Sequence, residues 1–208
     1  MIQPASRTPA RATAPDGTRL GRLAMAVMGP AVALAVLTAV LGPSAAVAPL
    51  PHGPFPVGGS LHPSPWLVTA LLAAAVLASA GATAAAWAAL RRGWAPSPRR
   101  LIAGGLLAVG ALAIVPPLAG ADVLSYAAYG RMEARGLDPY TVRPDTLPTD
   151  PFARAVEDPW RSTPSVYGPL ATAEQAALVR LAGGRLRLAV GLLDLVNGIA
   201  FAAAACLL

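Results

Sequence analysis

Apolar residues fall in long uninterrupted runs along this chain, and polar residues collect in the gaps between them. Residues 23–41 carry no charge and are long enough to cross a bilayer, with Pro30 as a kink. Residues 66–90 form a second run, with Trp66 and Trp87 near its two ends, where interfacial aromatics belong. Residues 101–119 form a third, which Pro116 and Pro117 end or bend, and residues 186–208 a fourth. The pattern predicts an all-α, polytopic transmembrane protein of about four spans. Residues 1–22 read as a disordered tail, 23–119 as three helices with their connections, and 186–208 as the last helix. Residues 120–185 break the pattern. They are polar and punctuated by proline, and read as a large loop carrying short helices.

Charge orients these elements. The tail holds Arg7, Arg11, Arg19 and Arg22 against Asp16, and the connection after the second run holds Arg91, Arg92, Arg99 and Arg100 with no acid. By the positive-inside rule both are cytoplasmic, which leaves loop 120–185 outside a plasma membrane. A secretory signal is the competing reading of the N-terminus, since Ala46-Val47-Ala48 fits a cleavage site; the length of the apolar run and Pro49 after the cut argue against it. The first outer connection, 42–65, is rich in Pro and Gly, which predicts irregular chain. Its two histidines, His52 and His62, read as solvated side chains, because a metal site needs more donors.

Composition narrows the function classes. The 208 residues are 55% hydrophobic and 12% charged, with a mean hydropathy of +0.56, too apolar for an ordinary soluble domain. All sixteen basic residues are arginine, and the net charge is +6. Half of them flank apolar runs, and no basic stripe is interleaved with aromatics, so nucleic acid is not an expected partner. The one cysteine, Cys206, excludes a disulfide framework within the chain, and no metal motif or cofactor fingerprint occurs. Asp194 and Asn197 lie deep in the last run with Gly191 and Gly198 beside them. A carboxyl at that depth needs a hydrogen-bonding neighbour, or partners in further helices.

Candidate chemistry collects in the polar segment. On a helix, Asp122, Tyr126, Tyr129 and Glu133 share one face, which sets a carboxylate and two phenols at the mouth of a span. Asp122 can act as a general base or cap the helix, and Asp138 before Pro139 can start a turn. Tyr126, Tyr140 and Tyr167 can line a sugar site or act as interfacial aromatics.

Three stretches in order carry a family resemblance: Asp122-Val123-Leu124-Ser125-Tyr126-Ala127-Ala128-Tyr129-Gly130, Gly136-Leu137-Asp138-Pro139-Tyr140, and Thr163-Pro164-Ser165-Val166-Tyr167-Gly168-Pro169-Leu170. They resemble the actinobacterial polyprenyl-phosphomannose-dependent α-1,6-mannosyltransferases, membrane glycosyltransferases of the GT-C class. The resemblance covers roughly residues 100–208. It implies a polyprenyl-phosphate sugar donor, a lipid-linked glycan acceptor of the lipomannan type, and no cofactor. It also implies Asp122 as catalytic base, with Tyr126, Asp138, Tyr140, Arg161 and Tyr167 as substrate-binding residues. Arg161 is the favoured ligand for the donor phosphate, and Arg131 and Arg135 are expected at lipid headgroups. Members are about twice as long or more, so an N-terminal fragment is the expectation here; many GT-C enzymes at large set their loop acid after the first span, whereas Asp122 follows the third. A non-catalytic membrane scaffold or transporter subunit built around Asp194 is the alternative.

Overall fold

The computed structural model describes residues 16–118 and 120–207; the first fifteen residues of the expected tail lie outside them. The described residues contain seven α-helices and no β-strand: α1 (Gly17–Leu41), α2 (Pro65–Arg91), α3 (Pro98–Ala113), α4 (Asp122–Ala134), α5 (Pro151–Ala155), α6 (Pro169–Leu181) and α7 (Leu186–Leu207). Short 3-10 turns at Pro144–Thr146 and Trp160–Ser162 complete the polar segment.

α1 starts six residues before the expected span. Asp16 caps it, its carboxylate accepting from the Thr18 amide at 3.1 Å, so residues 17–22 are helix and not tail. The helix also continues through Pro30. Its partner is α2, and the seam between them is built from small residues at steps of seven. α1 buries Gly17, Ala24, Ala31 and Thr38, and α2 buries Val68, Ala75, Ala82 and Ala89. A seven-residue repeat keeps one narrow face in register along two helices, and small side chains let the backbones approach closely. The pair is antiparallel: a Cβ on Gly17 would lie 2.8 Å from the Arg92 carbonyl oxygen and 3.0 Å from that of Ala89.

Three helices among the described residues, α1, α2 and α7, are long and apolar enough to cross a membrane. The expected third span is shorter than the sequence suggested. α3 has 16 residues, about 24 Å at ~1.5 Å per residue against a hydrocarbon core of about 30 Å. It ends before Pro116 and Pro117 because a residue ahead of proline is disfavoured in helical conformation. α3 lies antiparallel to α7, with Gly198 facing Ala113 and Val109.

The connection between α1 and α2 is irregular, as its composition predicts, but it is held in place by helix ends. The last carbonyls of a helix have no partner within it. Val40 and Leu41 at the end of α1 accept from the amides of Gly59 (2.6 Å) and Leu61 (3.0 Å), and Ile114 after α3 accepts from Val57 (2.7 Å). Arg187 in the first turn of α7 closes the arrangement, donating through Nε and Nη2 to the Pro56 carbonyl and through Nη1 to that of Pro51 at 3.1 Å. Phe55 lies against Gly191, where a Cβ has no room. Gly191 therefore receives the α1–α2 connection and does not pack beside Asp194 against another helix.

The polar segment folds as a cap on this same end of the bundle. Its core joins Val123, Leu124, Ala127 and Ala128 of α4 to Phe152, Val156 and Val179, and continues into Leu186, Ala189, Val190 and Leu193 of α7. The arginine-rich ends of α1, α2 and α3 lie at the opposite end of the bundle.

The small-residue seam yields a stability prediction. Ala82→Leu overfills it and lowers stability by about 1–3 kcal/mol, whereas Ala84→Leu on the exposed face of α2 is neutral. Thermal unfolding of the two purified variants in detergent checks this; equal melting temperatures would place the α1–α2 contact elsewhere.

Candidate active site

The site is organised by α4. Asp122 occupies its first turn, one residue inside the cap position held by Ala121, and no side-chain capping bond forms there. Asp122 is exposed, and its carboxylate has no hydrogen-bond partner among the described residues. The helix dipole favours an acid at this position. The shared face expected from the sequence is present, but its members differ in exposure: Tyr126 is half-buried and Tyr129 fully buried.

Tyr126 and Tyr129 both meet Tyr167 from the third stretch. The Tyr126 and Tyr167 rings pack edge to face at 4.9 Å between centroids, and Tyr129 lies 6.2 Å from Tyr167. Burial raises the Tyr167 phenol well above its ordinary pKa, and the adjoining Tyr126 phenol and the charge of Asp122 push the same way. Burial also raises Tyr129, whose hydroxyl donates to the Thr163 carbonyl at 2.9 Å. Tyr129 thus braces the third stretch from below, and Tyr126 and Tyr167 form the surface beside Asp122.

The second stretch is tied to the third. Gly136, at φ +76°, ends α4 in the left-handed conformation that glycine adopts without strain, and Leu137 returns its amide to the Met132 carbonyl. Asp138 then builds the turn. Its carboxylate accepts from the Tyr140 amide and the Thr141 hydroxyl, each at 3.0 Å. The Ser165 amide donates to the Pro139 carbonyl at 2.7 Å, and the Tyr140 hydroxyl donates to Thr172 Oγ1 at 2.9 Å. Asp138 is committed to the turn, while Tyr140 keeps an exposed ring edge at 40% accessibility.

The arginines behave differently from expectation. Arg131 and Arg135, expected at lipid headgroups, converge on the buried Asp150 at 3.3 and 2.8 Å, and Arg131 stacks over Phe152. They leave the Asp122 face because they sit i+9 and i+13 along the helix. Asp150 also caps α5 through the Phe152 amide at 2.9 Å, so one carboxylate fastens α4 to the rest of the cap. The sequence reading missed Asp150; Asp-Pro-Phe, an acid ahead of a first-turn proline, was the signal available. Arg161 donates Nε to the Val156 carbonyl at 2.9 Å and Nη2 to that of Arg154 at 3.3 Å. It also borders, with Arg154, a hollow of about 420 Å³. His52 and His62, read as separate solvated groups, both line one hollow of about 400 Å³ with Arg187. No group of three or more His, Cys, Asp or Glu side chains among the described residues is placed to hold a metal ion.

A folded polar cap, with a free carboxylate beside a tyrosine cluster, seated on one end of an apolar helical bundle defines a helical membrane protein with its polar groups gathered at the bundle's end. The chain belongs to the alpha-(1->6)-mannopyranosyltransferase family, whose N-terminal-domain model matches residues 23–208. It is similar to a probable alpha-(1->6)-mannopyranosyltransferase of Mycolicibacterium smegmatis, at 48% identity over 61 residues, 28% of this chain and 11% of that protein. The matched stretch therefore spans about a tenth of the relative's length. No solved structure matches.

The Asp150 clamp can be tested directly. Asp150→Asn keeps the shape and an acceptor for the Phe152 amide but loses the charge facing two arginines. Stability falls by about 1–3 kcal/mol, moderated by the partial exposure of Arg135. Loss of that size in thermal unfolding is the expected result, and an unchanged unfolding curve would remove Asp150 from its role as fastener.

Proposed function

We propose that this chain carries the acceptor-activating part of an α-1,6-mannosyltransferase that moves mannose from a polyprenyl-phosphate donor to a lipid-linked mannan acceptor. Asp122 takes the proton from the acceptor hydroxyl, whose oxygen attacks the anomeric carbon of mannose. The bond from that carbon to the phosphate oxygen breaks, and polyprenyl phosphate leaves. Tyr126, Tyr140 and Tyr167 border the sugar, Asp138 holds the turn that presents Tyr140, and Arg161, from its hollow beside Arg154, meets the donor phosphate. The observation that carries the reading is Asp122 itself: an exposed carboxylate in the first turn of α4, engaged in neither capping nor an ion pair among the described residues, beside the edge-to-face pair of Tyr126 and Tyr167. A scaffold subunit has no need of an acid clustered with tyrosines and ordered proline turns.

Mannosyl transfer in washed membranes expressing the complete gene product tests this. Asp122→Asn is nearly isosteric and removes no capping bond, so expression and insertion persist while turnover falls by about 10²-fold or more. Asp122→Ser behaves likewise. Arg161→Lys raises the donor KM, because lysine lacks the guanidinium fork. Near-wild-type transfer by either Asp122 variant would move the base elsewhere.

The same reading places the cap outside the cell and the arginine-rich end in the cytoplasm, following the charge asymmetry. With Cys206 removed, an impermeant thiol reagent applied from outside should label a cysteine at Val166, which is exposed in the cap, and not one at Ser97. Labelling of Ser97 alone would invert the orientation.

A further inference from the structure

The end of the bundle opposite the cap holds a second feature that the transfer reaction does not use. α1 begins there, α2 ends there and α3 begins there, bringing Arg19, Arg22, Arg91, Arg92, Arg99 and Arg100 together with a single described acid, Asp16. Between the start of α1 and the start of α3 runs a groove of about 570 Å³. Arg22 and Arg100 supply its cations, Thr18 and Ser97 its hydroxyls, and Met25 and Leu101 its apolar walls. Trp94 sets its shape: the indole lies against Gly21, where a Cβ has no room, and the Trp94 amide donates to the Ala89 carbonyl at 3.0 Å.

We infer that this groove binds the headgroup of an anionic phospholipid, with Arg22 and Arg100 on the phosphate and the acyl chains along the exposed apolar face of α3. Two guanidinium groups match phosphate oxygens, and the excess of arginine over acid favours an anion. A soluble anion has no use for apolar walls, but a lipid does. Met25 and Leu101 line the groove, and exposed Ile102, Leu106 and Leu107 follow Leu101 along α3. Asp16 is turned to its own helix, accepting from the Thr18 amide, and leaves the arginines in excess. The inference rests on the bundle lying in a membrane and is independent of the role of Asp122.

Native mass spectrometry of the full chain, released from detergent with dioleoylphosphatidylglycerol or dioleoylphosphatidylcholine, tests it. One phosphatidylglycerol per chain is retained and phosphatidylcholine is not. R22Q/R100Q weakens phosphatidylglycerol binding by about tenfold or more. R91Q/R92Q, at the same end but outside the groove, changes it by less than about twofold. Equal retention by R22Q/R100Q, or equal loss in both double variants, would reduce the site to general surface charge and overturn the proposal. Displacement of the lipid by millimolar inorganic phosphate would do the same by assigning a free-phosphate site. Helical circular dichroism confirms folding, and were R22Q/R100Q to unfold, R100Q alone, at an exposed position, serves as the deciding variant.

Discussion

The close crossing of α4 and α6 sets the geometry of the cap. At Gly130 a Cβ would lie 2.5 Å from the carbonyl carbon of Gln175, so a larger residue there would force the helices apart. That contact buries one side of α4 and turns the Asp122–Tyr126 edge outward. It also brings Thr172 near Tyr140, and the loop preceding α6, with Tyr167, over Tyr126 and Tyr129. The tyrosine cluster is thus a consequence of backbone proximity: the rings meet because two helices can touch.

The polar bonds around that crossing divide into fasteners and free groups. Tyr129, Asp138, Asp150 and Arg161 each use hydrogen bonds on backbone or ion-pair partners within the cap. Tyr129 and Asp150 are buried, where a polar group without a partner is costly, so their commitments help so polar a segment to fold on an apolar bundle. Asp122 stands outside this network. Its freedom, and not its proximity to other acids, is what distinguishes it from Asp138 and Asp150.

The bundle solves a different problem. With few aromatic or branched side chains at their seam, α1 and α2 gain contact by bringing backbones together over alanine and glycine. The α1–α2 connection then supplies the amides that the ends of α1 and α3 lack, and Arg187 ties it to α7 and so to the cap. Cap and bundle are joined through main-chain carbonyls of a proline-rich loop that carries no charge of its own.

Long apolar runs, arginine-flanked ends and proline punctuation determined by themselves that the chain is a helical membrane protein with a polar segment of short helices. These are local or compositional properties, set by hydration and backbone sterics within a few residues. The helical face shared by Asp122, Tyr126 and Tyr129 was legible for the same reason, as was the turn at Asp138. The sequence reading overran α3, because hydropathy continues past the point where Pro116 and Pro117 stop a helix. It dispersed groups that the fold gathers: Arg131 and Arg135 onto Asp150, His52 and His62 around one hollow, and Tyr167 against Tyr126. Those pairings lie 10 to 41 residues apart in the chain. Only the tertiary structure decided them, because they depend on which helices pack closely, and that follows from where glycine and alanine let two backbones meet.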